Sequence, residues 1–283
     1  MFFKSILLLV IFVCLPVSAE FVQEDWEGAS GRALLEQVYK IHRQFPYVYE
    51  EQSMVLIDRR GRRETRKLKR YSRVEENGEA KFLLVFDSPE DVKGVAVLAS
   101  RQKNGETKQS IYLPAFSQSL IQNTGDASES SFRGTDFSVE NIIGEELDEY
   151  ILKRQRDAIV DGTEHYVVDV YKTEGVKAKR RHFILKDIMF IAKTEFYDPL
   201  GKLQKQQTQH DLSRVFGDMW RANMLLMQDF REDHQTLIKI KKRIFSADYV
   251  PKEVFTLNWL FENALQPVEY EMQEGEMQVE KAL

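Results

Sequence analysis

Residues 47–74 read YVYEEQSMVLIDRRGRRETRKLKRYSRV. Two runs, 47–58 and 62–74, flank a tight turn at Arg60-Gly61, and the first is rich in aromatic and β-branched residues. That is the grammar of a β-hairpin with long strands. The same punctuation recurs at Asn77-Gly78, Asn104-Gly105 and Asp161-Gly162, and Pro199-Leu200-Gly201 turns residues 188–198 into residues 202–210. Alternation accompanies the turns. Phe82, Leu84 and Phe86 fall on one face and Leu83 and Val85 on the other, while Ile238 and Ile240 alternate with Lys239 and Lys241. The expectation is a mainly β (α+β) chain: one strongly curved antiparallel sheet of about ten strands, a half-barrel with a few helices as its lid.

Such a sheet needs its inner face covered, and three segments are candidates. Residues 30–46, SGRALLEQVYKIHRQFP, read as a helix capped by Ser30 and stopped by Pro46, with Leu34, Val38, Ile41 and Phe45 on one side. The stretch after Gly134-Thr135-Asp136-Phe137-Ser138 can form a short helical turn capped by Asp136 or Ser138, and residues 251–265, PKEVFTLNWLFENAL, form the third. A wide sheet with so few helices leaves an apolar hollow.

The N-terminus has one early charge, Lys4, then an apolar run from Ile6 to Val13, Pro16 and the small-residue site Val17-Ser18-Ala19. This is the layout of a cleaved secretory signal over residues 1–19, with the mature chain expected from Glu20. The lone cysteine, Cys14, lies inside that segment and lacks the small residues a lipidation site wants before it. The mature chain therefore offers neither a disulfide framework nor a thiolate metal site. Without Lys4, 39 Lys and Arg face 45 Asp and Glu. A net acidic balance argues against nucleic acid as a partner. A single domain is expected over residues 20–266, followed by an acidic, disordered tail over residues 267–283.

Chemistry is hard to find. His42, His165, His182, His210 and His234 are scattered without metal-ligand spacing, and each reads as an ordinary surface imidazole. No GxSxG elbow, P-loop or GxGxxG is present, and the carboxylates of Glu145, Glu146, Asp148 and Glu149 read as solvated. No enzyme, catalytic residue, metal or cofactor is expected. Residues 59–73 hold nine Lys and Arg and one Glu. They read either as a solvated hairpin guarded against edge pairing or as a transient contact for a membrane surface or acidic partner. Residues 218–230, DMWRANMLLMQDF, hold Trp220, Met224 and Leu226, which suit either ordinary core or a wall for flexible acyl chains.

Against this background, YLPAFSQSLIQ (112–122) and SFRGTDFSVENIIGEE (131–146) carry a resemblance. Leu113 and Pro114, then Ser131, Phe132, Gly134, Thr135, Asp136 and Phe137, are similar to the signature of outer-membrane lipoprotein-sorting-like proteins related to the carrier LolA. Supporting segments follow in order: SPEDVKGVAVL (88–98), VDGTEHYVVDV (160–170), TEFYDPLGKLQK (194–205) and VFTLNWL (254–260). One departure is the absence of any basic residue between Pro114 and Ser131, where relatives are rich in arginine.

The resemblance implies a LolA-like half-barrel with a helical lid over an apolar cavity, a periplasmic location in a Gram-negative cell, and work beside an inner-membrane exporter of the resistance-nodulation-division type. It implies a carrier of lipid or lipoprotein acyl chains. The alternatives are an envelope-stress regulator or a non-carrying exporter accessory protein of the same fold. On this reading Gly134 makes a turn, Asp136 caps, and Phe132 and Phe137 anchor the lid. The cavity-lining candidates are then Phe82, Leu84, Phe86, Phe132, Phe137, Trp220, Met224 and Leu226.

Overall fold

Residues 47–74 form the expected hairpin. β1 (Tyr47–Ile57) pairs antiparallel with β2 (Arg63–Val74), setting Tyr49 opposite Tyr71 and Glu50 opposite Arg70. The Asp58 carboxylate holds the turn by accepting from the backbone N–H groups of Arg60 and Arg62 at 2.9 and 3.0 Å. The computed structural model describes residues 26–102, 106–114, 118–122, 134–138, 141, 146–172, 177–263 and 277–280. The expected signal segment, Ser131, Phe132 and the Asn104-Gly105 turn lie outside the described residues.

From this hairpin the sheet grows both ways. Beyond β2 come β3 (Ala80–Ser88), β4 (Ala96–Arg101), β5 (Thr107–Leu113) and β6 (Gln118–Gln122), each paired with its predecessor. On the β1 side the chain returns from its far end. β14 (His234–Phe245) pairs with β1, followed outward by β13 (Met219–Asp229), β12 (Leu203–Phe216), β11 (Phe190–Tyr197), β10 (Arg180–Leu185), β9 (Thr163–Tyr171) and β7 (Ile151–Arg154). β8 (Ala158–Val160) flanks β9. β15 (Met277–Glu280), inside the stretch read as tail, pairs with β14 at Lys242–Phe245. The result is one large, curved, open antiparallel sheet of fifteen strands among the described residues. It exceeds the expected ten mainly by strands of five residues or fewer (β6, β7, β8 and β15), too short to leave an alternation signal.

Three apolar layers follow. α1 (Gly31–His42) lies on the inner face, capped as expected: the Ser30 Oγ accepts from the Ala33 N–H at 3.1 Å. It buries Leu34, Leu35 and Val38 against Tyr166, Val168, Ile184 and Met189. Also on the inner face, Phe137 joins Met54, Leu68, Leu84, Phe86, Met227, Ile238 and Ile240. The third layer corrects an expectation. Residues 249–260, including the start of α2 (Leu257–Asn263), pack on the outer face against Tyr49, Tyr71, Leu83, Val85 and Tyr112. The reason lies in β3, where every residue from Phe82 to Phe86 is buried. A strand apolar on both faces needs cover on both.

Candidate functional site

Between α1 and the inner face of β1–β3 and β12–β14 lies a cavity of about 720 Å³, within the range of small-ligand sites. Its walls follow from strand parity. The even-numbered residues Val48, Glu50, Gln52 and Met54 of β1 point in, as do Leu68, Arg70, Ser72 and Val74 of β2, and Phe82 and Leu84 of β3. Across the β1–β14 pairing, Ile238 stands opposite Met54 and Ile240 opposite Gln52. Met54, Leu68, Leu84, Leu225, Ile238 and Phe137 thus make an apolar region.

Beside it runs a charged belt across four adjacent strands, β13, β14, β1 and β2. Glu50, 4% exposed, accepts from the Arg243 Nε at 2.6 Å and the Arg70 guanidinium at 3.1 Å, and from the Gln52 amide at 2.6 Å. Arg243, 3% exposed, also donates to the Asn223 Oδ1 and the Ala222 carbonyl at 3.3 and 2.9 Å. Burial alone would raise the Glu50 carboxyl, but the Arg243 and Arg70 cations outweigh it and hold it at about 2. Arg221, in the same wall, has no carboxylate of its own among the described residues. Its guanidinium lies 5.9 Å from the Phe245 ring centroid. Desolvation and the neighbouring Arg243 and Arg70 push it down to about 9, so it remains cationic at neutral pH.

The Gly134–Ser138 segment closes one side. Gly134 takes φ +77°, a left-handed conformation that side chains resist. Asp136 then plugs into β14: its Oδ2 accepts from the Thr236 Oγ1 at 2.7 Å, and the His234 Nδ1 lies 2.8 Å from the same oxygen. Its backbone N–H donates to the Thr236 Oγ1 at 3.0 Å, and its carbonyl accepts from the Lys205 Nζ at 2.9 Å. The capping bond is supplied by Ser138, whose Oγ accepts from the Asn141 N–H at 3.3 Å. Phe137 is carried onto the apolar inner layer and lines the cavity.

The placement of the other sequence-derived candidates is mixed. Phe82, Leu84 and Phe137 line the cavity, and Phe86 is buried in the layer beside it. Trp220, Met224 and Leu226 do not line it; Arg221, Ala222 and Leu225 do. Register decides this: Leu225 pairs with the inward Ile238, so Met224 and Leu226, opposite Lys239 and Leu237, face the other way. Thr135 is buried beside Asp136, and Leu113 packs partly buried against the inner layer just before Pro114.

The basic run also divides by parity. Arg70 enters the cavity, Arg66 stacks toward Phe86, and Arg73 turns to the outer face, donating to the Val250 carbonyl at 2.9 Å. Arg59, Arg60, Arg63 and Lys67 remain exposed.

The histidines need a correction too. His42, His165 and His182 are buried, and His234 is half-buried. At 4% exposure, His42 donates through Nε2 to the Met189 carbonyl at 3.1 Å and accepts at Nδ1 from the Trp220 N–H at 3.1 Å. These satisfied partners make a buried imidazole affordable. Among the described residues no three His, Cys, Asp or Glu side chains converge to hold a metal ion.

Residues 78–262, well over half the chain, match a family model described as "Uncharacterized protein". No curated protein matches the chain. Among solved structures, an outer membrane lipoprotein-sorting protein domain from Vibrio parahaemolyticus is similar at TM-score 0.74 and 22% identity, covering 81% of this chain and 97% of its own. A DUF1329 family protein from Desulfovibrio piger gives TM-score 0.72 and 23% identity over 81% and 97%. A LolA superfamily protein from Nitrosomonas europaea gives 0.64 and 16% over 81% and 99%. At these identities the likeness establishes the fold.

Proposed function

We propose that this chain, which belongs to the family whose model matches residues 78–262 and has a LolA-like fold, is a non-enzymatic periplasmic carrier that shields an acyl chain in the inner-face cavity. The observation carrying this reading is the cavity itself: about 720 Å³, walled by Met54, Leu68, Leu84, Phe137, Leu225 and Ile238. Each methylene buried there contributes about 0.8 kcal/mol, so a short length of chain yields useful affinity. Cargo release requires α1 or the Gly134–Ser138 segment to move aside, or an acceptor with a competing apolar site. In this reading the donor or acceptor is an inner-membrane exporter of the resistance-nodulation-division type. The exposed tip of Arg59, Arg60 and Arg63 is then the surface that meets anionic headgroups beside it.

The test is to purify the protein from a periplasmic extract without detergent, extract it with organic solvent, and identify bound lipid by mass spectrometry. An unrelated periplasmic protein serves as control. Near-stoichiometric, selective lipid is the expected result. An empty protein whose thermal midpoint ignores added lipids would overturn the carrier reading in favour of an accessory protein or an envelope-stress regulator of the same fold. Co-purification of a membrane exporter or of an anti-sigma factor would separate those two.

A further inference from the structure

The cavity is more cationic than an acyl chain requires. Arg43, Arg70, Arg221 and Arg243 line it, facing Glu50, while Glu146 is engaged by Arg101 at 2.5 Å. Glu50 neutralises one guanidinium and is already bonded to two. Arg43 stacks on Tyr39, its guanidinium carbon 3.4 Å from the ring centroid. Arg221 has neither a hydrogen bond nor an ion pair among the described residues, only the Phe245 ring. Arg221 is half-buried, so its charge is only partly desolvated, and it faces Arg70 and Arg243 across the cavity wall with no carboxylate bonded to it among the described residues. A carboxylate or phosphate would satisfy it, because the guanidinium fork bonds such oxyanions in bidentate fashion.

Resting on the carrier reading above, we propose that Arg221, with Arg70 and Arg243, is an anion subsite inside the cavity, and that the cargo is an amphiphile with an anionic head, carboxylate or phosphate, on an apolar chain. The head sits on the charged belt. The chain runs along Met54, Leu68, Leu84 and Ile238 toward Phe137, so the order of side chains across the inner face fixes which way the cargo lies. The lowered proton affinity of Arg221, set first by desolvation and then by Arg243 and Arg70, agrees with this, since an incoming anion would offset that repulsion.

The experiment is a fluorescence titration at pH 7.5 with cis-parinaric acid, competed by oleic acid, lysophosphatidic acid, methyl oleate and inorganic phosphate. The wild type is expected to bind the two charged chains roughly 10- to 100-fold more tightly than the ester, the range of a hydrogen bond to a charged group. Arg221→Met should remove most of that preference, read as the ratio of acid to ester affinity, and melt no lower than wild type. Arg221→Lys should keep a partial preference. Equal binding of acid and ester by the wild type overturns the subsite while the carrier reading stands, and needs no variant to show it. An unaltered preference in a folded Arg221→Met protein also overturns it. Displacement of the probe by millimolar inorganic phosphate would mean a bare-anion site and refute the amphiphile. Failure of every chain to bind would overturn subsite and carrier together.

Discussion

The Asp136 carboxylate accepts a hydrogen bond from the Thr236 hydroxyl at 2.7 Å, between residues one hundred apart in the chain. Thr236 is fully buried and Asp136 nearly so. The signature segment is therefore latched onto the middle of the sheet rather than simply capped. Asp136→Ala leaves the Thr236 hydroxyl and the His234 ring without this acceptor, and should cost about 1–3 kcal/mol of stability. If the segment is also the gate of the cavity, bound lipid should dissociate faster. Chemical denaturation and stopped-flow release measure the two effects; no change in either would refute the latch.

Glu50 is the counter-charge for a buried belt. Glu50→Gln leaves Arg243 buried without its anion and should destabilise by about 3–5 kcal/mol. The carboxyl is ordinarily near 4.5 and sits at about 2 in the fold. Its contribution, about 3 kcal/mol, is therefore complete above pH 4.5 and disappears as pH falls toward 2. The variant should be weaker at neutral pH and lose less on acidification. Parallel acid-unfolding curves for the two proteins would exclude this role.

His42 works at higher pH. Burial, with Arg221 nearby, lowers its proton affinity from the ordinary 6.5, and protonation of Nδ1 would break the bond from the Trp220 N–H. Below about pH 6.5 the unfolded chain takes up a proton that the native chain refuses, so stability falls as pH falls. Comparing urea midpoints at pH 7.5 and 5.5, the drop should be smaller in His42→Gln than in wild type. Identical drops would assign the effect to other groups.

Gly31 begins α1 where the helix presses on the sheet. A Cβ there would lie 2.9 Å from the Arg154 backbone nitrogen and 3.0 Å from the Leu152 carbonyl oxygen. Alanine is the better helix former by about 1 kcal/mol, yet Gly31→Ala should destabilise by about 1–3 kcal/mol because backbone must shift. A stabilised variant, read by thermal denaturation, would mean that α1 sits further from β7.

Much of the fold was legible in local pattern. The Arg60-Gly61 hairpin, the Ser30 cap, the Gly134 turn and the inward parity of Phe82 and Leu84 each depend on a few neighbouring residues, and each is found in the structure. The β13 face was not. Its run 219–229 is apolar on both sides, and only pairing with β14 turns Leu225 inward and Met224 outward.

What the sequence by itself determined is the antiparallel, turn-punctuated sheet and the signature segment that closes it, because turn chemistry and period-two alternation are local properties. What only the tertiary structure decided is the character of the cavity. Glu50 beside Glu51 carries no local mark of burial, and Arg70 lies within a run of nine basic residues that reads as a solvated hairpin or a contact surface. The β1–β14 pairing brings Arg243 to Glu50 across 193 residues and turns surface-like charges into a buried belt. The same closure places residues 249–260 on the outer face and leaves the cavity on the inner face, between the strands and α1. Charge in a sequence carries no label of inside or outside; only the strand across the sheet confers it.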